Sequence, residues 1–305
     1  MSMSLKTLLK SVLGRAGYSL SKVKSSAAGH PTKGDITVRV GNYSILMNGE
    51  HQLPHILEGH PAYATNVARI AKHLVRFYPD LCLIDVGANV GDTVALVKSA
   101  VDISIICIEG DAAYFAYLIK NSAQFSNVTI HQCFLGDDSQ TITGDVVSKN
   151  GTLQIVTNGN KSIRLVTLDQ FLRSTTPVGA LKMLKIDTDG YDAKIIRGGM
   201  GFIQEWKPVI FFEYDRPTQE NAGETGIEIL EKLCGWGYDL ILFYDSVGRF
   251  ICSAHLEDKG FLRQMNSYIS RRRGGITYYD LCAFHKDDSQ AAQELIAAEL
   301  QRNEA

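Results

Sequence analysis

Nearly continuous apolar blocks recur along the chain, each followed by a stretch with helical spacing. LCLIDVG (81–87), ISIICIEG (103–110), NVTIHQCFLG (127–136), LKMLKID (181–187) and PVIFFEYD (208–215) carry apolar residues at alternate positions on both faces and end in acids or glycines. Such runs predict parallel strands covered by helices on each side. YDLILFYD (238–245) and TYYDLCAFH (277–285) continue the series. GDTVALVKSA (91–100), DAAYFAYLIKNSAQ (111–124), YDAKIIRGGMGFIQEW (191–206) and IEILEKLCGWG (227–237) read as the intervening helices. The alternation predicts an α/β fold with ligands at the carboxyl ends of the strands. TITGDVVSKNGTLQIVT (141–157) interrupts it, and Asn150-Gly151 between two β-prone runs predicts a hairpin.

Ahead of this series, ITVRV and YSILM flank Gly41-Asn42 as a small hairpin. PAYATNVARIAKHLVRFYPD (61–80) reads as a helix with Val67, Ile70, Ala71, Leu74 and Val75 on one face. The first 34 residues hold Lys6, Lys10, Arg15, Lys22, Lys24 and Lys33 and no acid, with Leu5, Leu8, Leu9, Val12 and Leu13 at helical spacing. A basic amphipathic segment of this kind suits peripheral contact with an anionic membrane surface, packing on a partner, or packing on its own domain. The chain therefore divides into a basic segment and linker (1–34), a hairpin and helix covering the active site (35–80), a main domain (81–286) and a polar-rich terminal helix (287–305).

Composition narrows the function classes. The 305 residues are 45% hydrophobic and 21% charged, enough apolar side chain for a large core and a poor match to disorder. A net charge of -2 lacks the basic excess of a general nucleic-acid binder. No run reaches the roughly 18 apolar residues of a membrane span, and the opening residues lack a secretory apolar core. The six cysteines form no C-x-x-C pair and read as free thiols, which fits a reducing compartment and a cytoplasmic location.

The most informative segment is Ile84-Asp85-Val86-Gly87-Ala88-Asn89-Val90-Gly91-Asp92: a buried strand, Gly-x-x-x-Gly, then a helix. Gly87 permits a sharp turn and close approach of a ligand. Gly91 opens a helix whose N–H groups favour an anionic group. The spacing is not the G-x-G-x-x-G of dinucleotide folds. Asp85 would repel a phosphate but accept a bond from an ammonium. Both features favour the amino-acid end of S-adenosylmethionine over a pyrophosphate. Glu109 ends the second strand, where an acid accepts ribose hydroxyls. Asp137, after the third, offers an acceptor for the adenine amine.

At this point the chain resembles the FkbM family of S-adenosylmethionine-dependent methyltransferases. IDVGANVGD, IEGDAAYFAYLIKN, VTLDQFL, LKIDTDGYDAKIIRGG and KPVIFFEYD carry the resemblance in that order, over roughly residues 81–215. Where the family pattern has two glutamates, this chain has Asp189 and Asp192 around Tyr191, acids with shorter arms. The resemblance implies a Rossmann-like class I fold with a seven-stranded, mostly parallel sheet in the order 3-2-1-4-5-7-6, the seventh strand antiparallel. It also implies O-methylation of a sugar hydroxyl in a polysaccharide or glycolipid, or of a secondary metabolite. Asp85, Gly87, Ala88, Asn89, Gly91, Glu109 and Asp137 would hold the cofactor.

A hydroxyl acceptor must lose a proton, so a base or a metal is needed beside the methyl. The strand-end acids Asp187, Asp189, Glu213 and Asp215 are the candidates. Asp187 is expected near the sulfonium and Glu213 as base or ligand of a divalent cation, with Lys185 paired to one of them. His51, His55 and His60 form a possible acceptor-facing loop, and Pro54 argues against a regular helix through them. Arg271-Arg272-Arg273 could meet an anionic substrate, while Tyr278, Tyr279 and Trp236 read as packing. Two rival readings remain at this stage: a nicotinamide-dependent oxidoreductase, and a cofactor-binding or docking protein without turnover.

Overall fold

The computed structural model describes residues 34–304 except 150–151, 177, 222 and 271–274, and the backbone alone at 145–149 and 152–159. The basic N-terminal segment, the Asn150-Gly151 turn and the three arginines lie outside the described residues. The chain opens with β1 (Asp35–Val40) and β2 (Tyr43–Asn48), an antiparallel pair turning at Gly41-Asn42. The main sheet contains β3 (Leu81–Val86), β4 (Ser104–Glu109) and β5 (Val128–Gln132). β6 (Phe134–Gly136), β7 (Gln140–Lys149) and β8 (Thr152–Thr167) form a separate three-stranded sheet. β9 (Ala180–Ile186), β10 (Val209–Tyr214), β11 (Tyr238–Tyr244), β12 (Phe250–His255) and β13 (Tyr279–His285) complete the main sheet.

Across the main sheet the order is β12-β11-β13-β10-β9-β3-β4-β5. β5, β4, β3, β9 and β10 run parallel, and β13 is antiparallel to both β10 and β11. Apart from β12, this is the order 3-2-1-4-5-7-6 with the seventh strand reversed. The sheet has eight strands rather than seven because Phe250–His255 pairs antiparallel with β11. β12 lies at an edge and is only partly buried, so FICSAH lacks the continuous apolar signature of its neighbours.

Three local readings also change. Residues 191–206 form two helices, 192–198 and 200–206. They meet at Gly199, which lies flat on Leu168, where a Cβ would approach to 2.8 Å. A helix does form at Leu53–Gly59, because Pro54 occupies its first turn, where a missing N–H costs nothing. The run 127–136 splits after Gln132, its last residues leaving the main sheet for the three-stranded one.

Alternate side chains of each central strand enter two cores. Leu81 and Leu83 of β3, Ile105 and Cys107 of β4, and Val209 and Phe211 of β10 face one core. Cys82, Ile84, Ile106, Ile108, Ile210 and Phe212 face the other. This two-sided burial is what the unbroken apolar runs encode. All six cysteines are unpaired. Among the described residues no helix is long and apolar enough to cross a membrane.

The segments outside the main sheet are tied to it by polar clamps. Arg69, on helix 65–74, makes a two-pronged bond to Glu299 of helix 289–304 at 2.8 and 2.9 Å. Asn121, 3% exposed at the end of helix 112–122, accepts the Leu46 N–H at 2.9 Å. Its amide donates to Leu46 O at 2.8 Å and Val90 O at 2.7 Å. One side chain thus fastens the β1–β2 hairpin to the glycine turn. Asn121→Ala would strand the Leu46 groups and is expected to destabilise the protein by about 2–3 kcal/mol, read from urea unfolding. Unchanged stability would show that the hairpin is held by its apolar contacts alone.

Candidate active site

The carboxyl ends of β3, β4, β9 and β10 reach the same edge of the sheet, and two clefts open there. The turn after β3 is built for close approach. Gly87 has φ +76°, and a Cβ would fall 2.0 Å from the carbonyl oxygen of Asp187. A side chain is excluded both by the backbone conformation and by the neighbouring strand end. The Gly87 and Ala88 N–H groups donate to Ile108 O at 2.9 and 3.1 Å, and the Gly91 N–H donates to Ala88 O at 2.8 Å. Asn89 sits in the left-handed region with φ +49° and donates its N–H to Glu109 Oε2 at 2.8 Å.

The first cleft lies against the turn after β3 and the end of β4. Gly87, Asn89, Glu109, Asp187 and Asp189 form its polar wall, and Ile108, Tyr114, Phe134, Leu135 and Ile195 its apolar wall. Phe134 lies over Gly110, where a Cβ would meet its ring at 2.2 Å. Glu109 is buried, and its Oε1 accepts the Asp111 N–H at 2.8 Å. Burial pushes the Glu109 carboxyl up to about 7, against the pull of the Asp111 and Asn89 N–H groups. Each of its oxygens keeps a second lone pair, the number that two vicinal hydroxyls require.

The second cleft shares Gly87, Asn89, Asp187 and Asp189 with the first. Asp92, Thr93, Lys185, Glu213 and Asp215 line its floor, with His51, Leu53, Ile56, Tyr63 and Tyr278 around them. Glu213 of β10 stands directly across from Asp280 of β13. Burial raises the Glu213 carboxyl well above its ordinary range, and the charges of Asp187, Asp192, Asp189 and Asp280 raise it further. Asp280 is pushed up to about 8 by burial and by Asp187, although Asn66 donates to it at 3.1 Å. Asp192, up to about 6 through burial and Asp187, accepts bonds from the Thr188 hydroxyl at 3.0 Å and the Glu213 N–H at 3.3 Å. It staples the loop after β9 to β10.

Between the clefts lies a buried ion pair. Asp85 and Lys185 are register partners on β3 and β9. Asp85 is 0% exposed, and Lys185 Nζ stands 3.0 Å from its Oδ1. The same ammonium donates to Gly87 O at 3.2 Å and lies 3.6 Å from Asp187. Burial disfavours the charge on Lys185, but Asp85 and Asp187 outweigh it and hold the ammonium well above its usual range.

Four of the expected cofactor residues line neither cleft. Asp85 lines neither cleft and is engaged by Lys185, so it supports the turn from behind rather than meeting a ligand ammonium. Asp137 lines neither cleft and pairs with Arg197 at 2.9 Å, which in turn grips Glu224 at 2.6 and 2.7 Å. Burial raises the Asp137 carboxyl, but bonding to Arg197 outweighs this and leaves it below its ordinary value. Ala88 and Gly91 are buried and line neither cleft; they shape the turn with N–H groups already donated. Gly87, Asn89, Glu109, Asp187 and Asp189 are brought together, and Glu213 joins them on the second-cleft side.

Other site residues carried little sequence signal. Tyr278 lines the second cleft rather than packing in the core, unlike its neighbour Tyr279. Tyr63, Asp92 and Asp280 come from outside the recognisable strand ends. His51 enters the cleft, whereas His55 is exposed beside Glu58 and His60 is exposed. Among the described residues no group of three or more His, Cys, Asp or Glu is placed to hold a metal ion.

Removing Lys185 alone would leave Asp85 buried without its ammonium. Lys185→Ala is expected to cost about 3–5 kcal/mol in urea unfolding, and Asp85→Leu combined with Lys185→Met to recover most of that loss. Equal stability of the single variant and wild type would show that the pair contributes nothing.

The Methyltransferase FkbM domain matches residues 85–240, just over half of the chain. No curated protein matches the chain in sequence. Among solved structures, an FkbM methyltransferase from Methylobacillus flagellatus KT is similar at 16% identity and a TM-score of 0.39, covering 57% of this chain and 42% of that one. A precorrin-6y C5,15-methyltransferase from Geobacter metallireducens GS-15 shares 13% identity at a TM-score of 0.38, covering 72% and 87%. A TehB-like SAM-dependent methyltransferase from Corynebacterium glutamicum ATCC 13032 Kitasato shares 9% identity at 0.37, covering 72% and 88%. The matched span contains the glycine turn, Glu109 and the acids that end β9 and β10, and with the 3-2-1-4-5-7-6 strand order it places the chain in the FkbM family of S-adenosylmethionine-dependent methyltransferases, with their Rossmann-like class I fold.

Proposed function

We propose that the protein methylates a hydroxyl of a small-molecule or glycan acceptor, a sugar hydroxyl being the best match to the second cleft. The observation that carries this reading is the wall shared by the two clefts. Gly87, Asn89, Asp187 and Asp189 line both, so groups held in either cleft meet there. Methyl transfer needs two reactants aligned within about 3 Å, and a common wall between a cleft with an apolar side and a polar one suits it. The six unpaired cysteines fit a cytoplasmic location.

The first cleft fits S-adenosylmethionine. Glu109 would take the ribose hydroxyls, Gly87 and Asn89 would lie along the amino-acid tail, and Ile108, Phe134, Leu135 and Ile195 would enclose the adenine. When bound, the cofactor supplies an electrophilic methyl on a sulfonium. The chain's own part is to orient the acceptor and to take its proton. Glu213 is suited to the second task. Burial and its acidic neighbours raise its proton affinity, so it is a stronger base than an ordinary glutamate once ionised. Tyr63 and Tyr278 offer ring faces and hydroxyls beside it, the surfaces that a polyhydroxylated acceptor contacts. Lys185 holds the Asp187 carboxylate at the shared wall.

Binding and turnover test the reading separately. S-adenosylhomocysteine at about 100 times its dissociation constant should add roughly 2.7 kcal/mol of stability in a thermal-shift titration. The shift should shrink in Glu109→Ala, and NAD should give none. Stabilisation by NAD alone would overturn the cofactor assignment. Turnover is read as S-adenosylhomocysteine release with a panel of methyl glycosides. Glu213→Gln should then lower kcat by about 10²–10⁴-fold while leaving S-adenosylhomocysteine binding intact. The wild-type rate should rise with pH well above the ordinary glutamate range, since a base with a raised pKa works only after losing its proton. Full activity of Glu213→Gln, or a rate independent of pH, would remove Glu213 from this role.

A further inference from the structure

We infer that His51 is a positioning residue that links occupancy of the cofactor cleft to the order of the acceptor-cleft wall. The inference rests on the cofactor assignment above. His51 lies in the segment before the FkbM span and lines the second cleft, yet its ring bonds reach toward the first. Nδ1 accepts the Leu53 N–H at 3.1 Å. In the neutral ring that leaves the proton on Nε2, which donates to Asn89 Oδ1 at 3.3 Å. The nitrogen facing the shared wall is therefore a donor, and His51 is not the base.

The chain of bonds continues. Asn89 holds a left-handed conformation and gives its N–H to Glu109, the acid assigned to the ribose. The His51 ring also stands edge-on to Tyr114 of the first cleft, with centroids 6.0 Å apart. On its other side His51 fixes the start of helix 53–59, which carries Leu53 and Ile56 into the acceptor cleft. Whatever settles Glu109 and Asn89 therefore also settles His51 and the acceptor wall beyond it. Coupling of this kind runs both ways, so a loosened His51 must weaken cofactor binding.

The test uses S-adenosylhomocysteine with the full-length protein and the variants His51→Ala and His51→Gln. Calorimetric titration should show affinity reduced about 5–10-fold in His51→Ala, with recovery in His51→Gln, whose amide keeps a donor. Hydrogen exchange supplies a readout that a merely structural role would not move. Saturating ligand should slow exchange at residues 50–60 in wild type but not in His51→Ala, while protection at 109–111 persists in both. Wild-type affinity in His51→Ala overturns the inference, as does ligand protection that stops short of residues 50–60 in wild type. Absence of any binding to wild type overturns the cofactor assignment and the coupling together, so the two failures are told apart.

Discussion

The site depends on one buried ion pair. Asp85 and Lys185 face each other across two central parallel strands, both buried, with Lys185 reaching the floor of the second cleft. The ammonium has reach to spare. It also bonds the carbonyl of Gly87 and approaches Asp187, so the two loops that follow β3 and β9 are held by one charge. That explains how the Gly87 turn can press against the Asp187 carbonyl so closely that no Cβ fits. A pair buried this deeply is weak evidence for stability in itself, since an apolar pair of equal volume does as well. Its use here is positional, because it sets the wall that both clefts share.

Around that wall, polar groups are spent on shaping loops before any ligand arrives. Glu109 takes the N–H groups of Asn89 and Asp111, and Asp192 ties Thr188 to Glu213. Arg197 bridges Asp137 and Glu224, while Gly198 beside it lets its helix approach Gly136 so closely that a Cβ would fall 2.1 Å from that carbonyl. The Arg-Gly pair that ends this helix is therefore a packing device, and so is the Gly-x-x-x-Gly turn, most of whose N–H groups close on backbone carbonyls. Cofactor recognition falls to fewer residues than the motif contains.

Fold class was legible because parallel strands buried on both faces leave an unmistakable apolar record, whereas strand order came only with the family resemblance. The edge strand Phe250–His255 left none, since half-exposed positions tolerate Ser and Cys. The glycine turn and the strand-end acids could be read as one constellation, but sequence position does not tell which way a side chain points. Asp85 shares a face with Leu81 and Leu83, so its strand parity sends it into the core beside Lys185 and away from the ligand. Asp137 could not be separated from a ligand contact without knowing that Arg197, 60 residues on, reaches back to it. Tyr63 and Tyr278 enter from segments that carry no motif, whereas the histidine-rich loop did point to His51.

The reversed strand β13 adds a carboxyl to the centre that no parallel strand could supply. Parallel strands bring only their carboxyl ends to the active edge, so each contributes residues that follow its apolar run. β13 runs the other way and delivers its opening residues, Tyr279 and Asp280, to that edge. Asp280 thereby becomes the cross-strand neighbour of Glu213, with Asn66 donating to it from helix 65–74. Two carboxyls so placed, among Asp187, Asp189 and Asp192, cannot all be ionised cheaply in a buried setting. Burial first, and then the charges of Asp187, Asp192, Asp189 and Asp280, raise Glu213 toward the basicity a hydroxyl acceptor demands. A fully parallel sheet of the same residues would have left Glu213 buried beside Asp187 and Asp192, its carboxyl still raised, but without this cross-strand neighbour.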